Sequence, residues 1–514
     1  MGVKYFLQIS LSLYLIVTTA NVHAQQSQKP NIVFIISDDH AYQAISAYGS
    51  TLASTPNIDR IAKEGAIFRN SFVTNSLCGP SRATLITGKY SHLNGYKANE
   101  GKFNVDQEVF PTFLQAAGYQ TAYVGKWHLG TLPKGFNYFN ILQSQGAYFN
   151  PEFINTSNDT IHYEGYVSDL IAKFSLNWLN SRDQSKPFCI IIGHKATHRN
   201  WLPAVEDLGA YDDVDFPVPS TFNDDYKGRV AAQNQEMEIG EVMRLKEDLK
   251  VHVNYDGPSF KRMNAQQKQA YINYYEKKIS KEFDEEHLSG EALTKWKYER
   301  FLKDYLSTAK SLDRNIGKVL DYLDSTGLSK NTVVIYVSDQ SFYLGEHGWF
   351  DKRFMYEESL RTPFVMRYPG VIKQGMNIDK FAVNIDWAPT LLDIAGVKAP
   401  AGMQGKSLLP LLEGKSVPWT NQVYYHYYEF PKPHHVQPHF GIRTEDYKLI
   451  CFYGNKLEWE LFDLKKDEHE LNNVYQQEAY KNIAIQMRQA LESLIRKYKD
   501  DEALKIIQAA HAIK

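Results

Sequence analysis

The chain has 514 residues, with 57 Lys and Arg against 59 Asp and Glu, a formal net charge of −2, and 43% hydrophobic side chains. It is too apolar and too evenly charged for a disordered chain, and it lacks the basic excess of a nucleic-acid binder. Three cysteines, Cys78, Cys189 and Cys451, allow at most one bridge, so no disulfide framework holds the chain together.

In residues 1–24, Lys4 precedes an apolar run over 9–17, and Val22-His23-Ala24 has a small-x-small pattern. The run is short for a bilayer crossing and no second one follows, so the segment reads as a removed signal peptide. The mature protein is therefore expected to be exported, to have no membrane span, and to suit a periplasm, where a sparse cysteine content is unremarked. Short β-branched runs at 32–36, 121–124, 188–192 and 333–337 predict strands buried on both faces. Between them, Leu306, Leu312, Ile316, Val319, Leu320 and Leu323 share one helical face, with Gly327 as the stop. Strands alternating with helices predict an α/β unit around a mostly parallel sheet, placed at 25–412. Within it, 206–303 is rich in Glu, Lys, Asn and Gln. It is expected as an insertion of long polar helices over the sheet, or as a solvated excursion without a role. Strand patterns at 423–429, 440–443, 447–453 and 460–463, with a helix over 478–498, predict a small antiparallel-sheet domain at 413–514.

Each buried strand run leads into polar chemistry. Asp38-Asp39 follows the first, Lys126-Trp127-His128 the second, His194 and His198 the third, and Asp339-Gln340 the fourth. In open α/β sheets ligands bind outside the carboxyl ends of the strands, so these residues are expected at one rim. Asp38, Asp39, Asp339 and Gln340 offer only oxygen, which selects a hard cation, calcium first and magnesium second. Cys78 opens a predicted helix with Pro80 in its first turn and Gly88 as its stop, and Arg82 lies one turn in. There the helix dipole favours negative charge, although a buried structural cysteine fits the local pattern equally well.

The run Cys78-Gly79-Pro80-Ser81-Arg82, followed by Leu85-Ile86-Thr87-Gly88, resembles the motif of the type I sulfatases. Asp38-Asp39, Gly125-Lys126-Trp127-His128, His198, Asp339-Gln340 and Lys352 follow that family's order. The resemblance implies an alkaline-phosphatase-like α/β sandwich with a smaller C-terminal α+β domain. It also implies that a maturation enzyme converts Cys78 to formylglycine, whose hydrate joins Asp38, Asp39, Asp339 and Gln340 around calcium. In the family's chemistry one hydroxyl of that hydrate attacks sulfur and the other loses a proton to expel sulfate. Arg82 and Lys126 are then expected to hold the hydrate and His128 to assist the elimination. Lys126 and Lys352 would bind sulfate, and His198 would protonate the leaving oxygen, a role worth about 10²–10⁴-fold. Gln340, Ser341 and Thr197 depart from the usual residues of the family.

The stretch 345–363, with Asp351 and Arg353 flanking Lys352, is similar to bacterial exo-acting N-acetylglucosamine-6-O-sulfatases. That similarity implies that Asp351 and Arg353 grip the sugar's O3 and O4. His439, at the end of the histidine-bearing segment 431–439, is expected to reach back and join them. Alternatives are a sulfatase for another sugar position, for N-sulfoglucosamine or for an aryl sulfate; a phosphonate or phosphodiester hydrolase of the same fold; and an exported glycan-binding protein without catalysis.

Overall fold

The computed structural model describes residues 29–454 and 456–512, so the segment 1–24, read from sequence as a signal peptide, lies outside the described residues. The four apolar runs form the strands Asn31–Ser37, Gln120–Gly125, Phe188–Gly193 and Thr332–Ser338, and every residue of the first, third and fourth is buried. They lie side by side and parallel within a ten-stranded sheet. Antiparallel strands such as Phe364–Arg367 and Glu152–Asn155 extend the sheet towards its edges.

Alternation along the first strand explains why both faces are covered. Ile32, Phe34 and Ile36 pack into one apolar layer with Trp387, Leu391 and Leu392. Val33 and Ile35 point the other way, onto Leu312, Ile316 and Val319 of the 36-residue helix Gly290–Ser325. Gly327, left-handed at φ 74°, follows that helix. Burial on both faces is what a parallel sheet between helical layers requires.

The second, smaller unit is an antiparallel sheet of Gln422–Tyr427, His439–Thr444, Tyr447–Phe452 and Glu458–Asp463, backed by the helix Lys481–Tyr498. A further helix, Asp501–Ala512, follows it. Buried charge joins the two units. Lys448 pairs with Glu357 at 3.0 Å and Glu470 at 2.6 Å, and Arg443 pairs with the same Glu357. No helix among the described residues is long and apolar enough to cross a membrane.

The segment 206–303 differs from the expected run of long polar helices. Up to Met263 it is mostly turns, interrupted by residues such as Pro217, Pro219, Gly240 and Gly257 that do not sustain a helix. Apart from the single turn Val230–Gln233, helix begins after Asn264, whose side chain and that of Gln267 form a reciprocal cap. The turns are not simply solvated. Phe216, Phe222, Ile239, Met243 and Leu249 pack into a core with Trp201, Phe301, Phe342 and Phe350.

Candidate active site

Sheet register brings the chemistry to one rim. Ser37 lies opposite Ser338, and Gly193 opposite both Ile36 and Gly125, so the residues that follow emerge together. Asp39 leaves its strand in a left-handed backbone conformation, φ 64°, and its N–H donates to Asp339 Oδ1 at 3.2 Å. Cys78 arrives from the other direction, as the first residue of the wholly buried helix Cys78–Thr87, which Gly88 terminates at φ 63°. Gly79 is needed there. Its N–H donates to Asn99 Oδ1 at 2.9 Å, and an added Cβ would stand 2.6 Å from the Tyr96 ring.

The result is one compact cluster. Ligand atoms of Asp38, Asp39, Cys78 and His198 all lie within 4.8 Å of one another. Lys352 Nζ lies 2.5 Å from Asp39 Oδ1 and 3.4 Å from Cys78 Sγ, and Gln340 Nε2 is 3.7 Å from the same sulfur. Lys126 forms a close ion pair with Asp38 Oδ2. Three oxygens of the cluster, Asp38 Oδ1, Asp39 Oδ2 and Gln340 Oε1, are buried without a hydrogen-bond partner. Such atoms are costly in a protein interior unless something fills their lone pairs, and an oxygen set of this kind fits a hard cation. Asp339 stands beside them. Its Oδ1 accepts from the N–H of both Asp39 and Gln340, which uses both lone pairs of that oxygen, whereas Oδ2 accepts one hydrogen bond, from Arg82 Nε, and is the oxygen with a lone pair left for a cation.

The electrostatics of the cluster are those of crowded, buried carboxylates. Burial raises the Asp39 carboxyl to about 6, with Lys352 opposing and Asp38 adding to the rise. Burial, with Asp38 next, raises Asp339 to about 7. For Asp38 the burial penalty is outweighed by Lys126, His198 and Arg82, which hold it well below the usual carboxylate range. Burial, reinforced by Asp38, pushes the Cys78 thiol well above its ordinary value, so the unmodified side chain is kept protonated. Crowded carboxylates without a cation disfavour their own ionised forms.

Arg82 acts on the frame around the cluster. It reaches Asp339 Oδ2 at 2.9 Å through Nε and again through Nη2, and it donates from Nη1 to the Lys126 carbonyl at 2.6 Å. Arg82, one turn along the helix that Cys78 opens, thus braces the loops that carry Asp339 and Lys126. His128 and His198 are both held neutral, chiefly by burial, with Lys126 lowering each further. His198 Nδ1 is 2.8 Å from the Arg199 carbonyl, which leaves Nε2 as its other nitrogen.

Beside Lys352, Asp351 and Arg353 both take left-handed backbone, φ 81° and 98°, a costly state for residues with side chains that gathers at functional positions. Arg353 Nε is 3.2 Å from Asp351 Oδ1, and its Nη1 is 2.6 Å from Glu429 Oε2. His434 Nε2 is 3.2 Å from Asp351 Oδ2. His439 is not available for a sugar. It is fully buried, its Nε2 accepts from the Met355 N–H at 3.1 Å, and its Nδ1 is 2.8 Å from the Gln437 carbonyl. It begins a strand rather than ending a loop, so its ring turns into the packing of Phe354, Tyr425 and Phe452. In the same histidine-bearing segment it is His434, not His439, that reaches Asp351. Glu429, just before the 431–439 segment, is not singled out by sequence, and His434 stands out only as one of that segment's clustered histidines.

The comparisons with known proteins follow the same geometry. The family model described as Sulfatase matches residues 30–397, and the one described as N-sulphoglucosamine sulphohydrolase, C-terminal, matches 345–497. An N-acetylglucosamine-6-O-sulfatase from Bacteroides thetaiotaomicron is 44% identical over 512 residues, covering 96% of this chain and 91% of the relative. A solved structure of a protein in complex with its substrate D-glucosamine-2-N,6-O-disulfate is 44% identical with a TM-score of 0.90, covering 92% of this chain and 99% of that one. A phosphonate monoester hydrolase of Agrobacterium radiobacter has a TM-score of 0.68 at 20% identity, covering 91% of this chain and 96% of its own, a likeness of fold alone. With a matched model over most of its length around a clustered Cys78, Asp38 and Asp39, this chain belongs to the sulfatase family and is a sulfatase.

Proposed function

We propose that this sulfatase hydrolyses the 6-O-sulfate of terminal N-acetylglucosamine in sulfated glycans, using calcium and a formylglycine made from Cys78. The substrate reading is supported by two comparisons, each at 44% identity: one finds a relative named for N-acetylglucosamine 6-O-sulfate, and one finds a solved structure that holds a glucosamine sulfated at N2 and O6. Calcium is supported by the donor set, oxygens of Asp38, Asp39, Asp339 and Gln340 with three of them lacking partners. Bound there, calcium would supply positive charge to the sulfate oxygens and to the nucleophile. A hydrated aldehyde at position 78 supplies two hydroxyls, one to attack sulfur and one whose deprotonation frees sulfate.

The chain's own residues carry the remaining work. Lys352 and Lys126, fixed by Asp39 and Asp38, place two ammonium groups where a sulfate ester meets residue 78. Such preorganised charge in a water-poor hollow favours the transition state. His198 offers Nε2 to the leaving sugar oxygen while its Nδ1 is anchored on the Arg199 carbonyl. His128 takes part in proton transfer at residue 78. Asp351 accepts from sugar hydroxyls and Arg353 donates to them, both held in place by Glu429 and His434.

Residues 1–24 are proposed to direct export and to be removed, and a formylglycine-generating partner is proposed to act on Cys78. Mass spectrometry of the secreted protein reads both, through its N-terminus and through the mass of the Cys78 peptide. The substrate is tested with N-acetylglucosamine sulfated singly at O6, O4 or O3. Turnover of the 6-sulfate alone is expected, and turnover of another isomer without it would overturn the assignment.

A further inference from the structure

Residue 78 and Arg353 lie on separate segments, yet the chain on both sides of residue 78 is tied to Arg353. One tie runs through Tyr425, a wholly buried residue of the strand Gln422–Tyr427 in the second unit. Its hydroxyl accepts from the Ser76 N–H at 3.1 Å and donates to the Arg353 carbonyl. A phenolic hydroxyl gives one hydrogen bond and can receive others, so one side chain serves both contacts.

The other tie starts at Gly79. Its N–H lies in the first turn of the helix Cys78–Thr87, where no carbonyl of the helix can accept it. Asn99 Oδ1 accepts it instead, at 2.9 Å. The Asn99 N–H in turn donates to Glu429 Oε1 at 2.8 Å, and Arg353 Nη1 donates to Glu429 Oε2 at 2.6 Å. The bond to Gly79 fixes the rigid peptide plane that leaves residue 78, and with it the direction of that residue's side chain.

Arg353 is thus held at two points, its carbonyl by Tyr425 and its guanidinium by Glu429. Its backbone is left-handed at φ 98°, a state that persists where the surroundings over-determine it. We propose that Asn99 and Tyr425 are positioning residues that set the register between residue 78 and Arg353, so that a sugar gripped by Arg353 presents its sulfate to the nucleophile. Register matters because a misplacement of about 1 Å can cost about 10²-fold in rate. The inference rests on the sugar-binding role proposed above for Arg353.

A double-mutant cycle separates register from fold. Asn99→Ala removes the acceptor for Gly79, and Tyr425→Phe removes both bonds of the hydroxyl while keeping the ring. Rates are referred to the fraction of Cys78 converted, read by mass spectrometry. Each substitution alone is expected to lower kcat/KM for 6-sulfated N-acetylglucosamine by about 10–100-fold. In an Arg353→Ala background, which has no grip left to align, each is expected to cost less than about threefold further. Asn99 is partly exposed, so its variant keeps the cycle open if Tyr425→Phe fails to fold. Losses of equal size in the two backgrounds would mean that these residues shape residue 78 or the fold alone, and would overturn the proposal. An unchanged kcat/KM in both single variants would overturn it as well. If the wild type acted on another sulfated isomer, the substrate reading would fail, while the same cycle on that isomer still decided the register.

Discussion

Lys352 holds Asp39 and Cys78 at once, at 2.5 and 3.4 Å, and is only 3% exposed. Burial disfavours its charge, yet Asp39, Cys78 and Asp351 hold it in the charged form, well above the ordinary lysine range. Lys352→Ala is therefore expected to lower kcat/KM for the sulfated sugar by about 10²–10³-fold, the scale of removing one preorganised charge donor. Sulfate release at matched calcium measures it, and a loss below about threefold would exclude Lys352 from charge stabilisation. A second residue tests the fold's buried acids. Glu460 is 2% exposed, accepts from the Tyr356 hydroxyl at 2.7 Å, and is pushed up to about 8, by burial above all. An acid with a raised folded pKa binds more protons folded than unfolded. Its contribution is full below about pH 4, its unfolded range, and is lost as pH rises towards about 8. Glu460→Gln, which stays neutral, is expected to match the wild type in urea unfolding near pH 4. Near pH 8 it should exceed the wild type by up to about 3–5 kcal/mol, whereas an equal difference at both pH values would contradict a raised pKa.

Gly125 ends a central strand and aims Lys126 into the site. It takes φ 103°, and an added Cβ would stand 2.0 Å from the Gly193 carbonyl oxygen of the neighbouring strand. Gly125→Ala is expected to cost at least about 1–3 kcal/mol through backbone strain alone and to lower activity with it. Denaturant unfolding checks this, and a neutral substitution would mean that the strand end tolerates a side chain. The elements that position the site were the most legible part of the sequence. Runs such as 332–338 have one physical reading, an apolar β-branched strand covered on both faces, and the polar residue after each run marks the rim. The turns over 206–264 were not legible, because their Phe and Met side chains reach a core that no local period announces. Asn99 was invisible for a similar reason: a bend shows no pattern until the residues it touches have been placed in space. His439 was misjudged because a histidine at the mouth of a loop and one at the start of a strand look alike in sequence, and only the strand pairing Tyr427–His439–Phe452 turns its ring inward.

Across the whole molecule, the site lies where the catalytic sheet meets the C-terminal unit. The sheet supplies the clustered carboxylates, and the second unit supplies Glu429 and His434, which pair with Arg353 and Asp351. Buried charge at Glu357, Arg443, Lys448 and Glu470 keeps these units in register. A cation that binds only the folded chain stabilises all of it, by about 2.7 kcal/mol at a hundred times its Kd. Chelation is expected to lower the unfolding temperature, with calcium restoring it more fully than magnesium. An unfolding temperature unmoved by chelator would mean that the carboxylates hold no cation. The proposed function gives the nucleophile and the sugar contacts to different residues, so binding and turnover are expected to separate. Cys78→Ala removes the nucleophile and leaves Asp351, Arg353 and Lys352 untouched. Calorimetry with 6-sulfated N-acetylglucosamine is expected to show binding in this variant while sulfate release falls to background. Turnover equal to that of the wild type would contradict a nucleophile at residue 78.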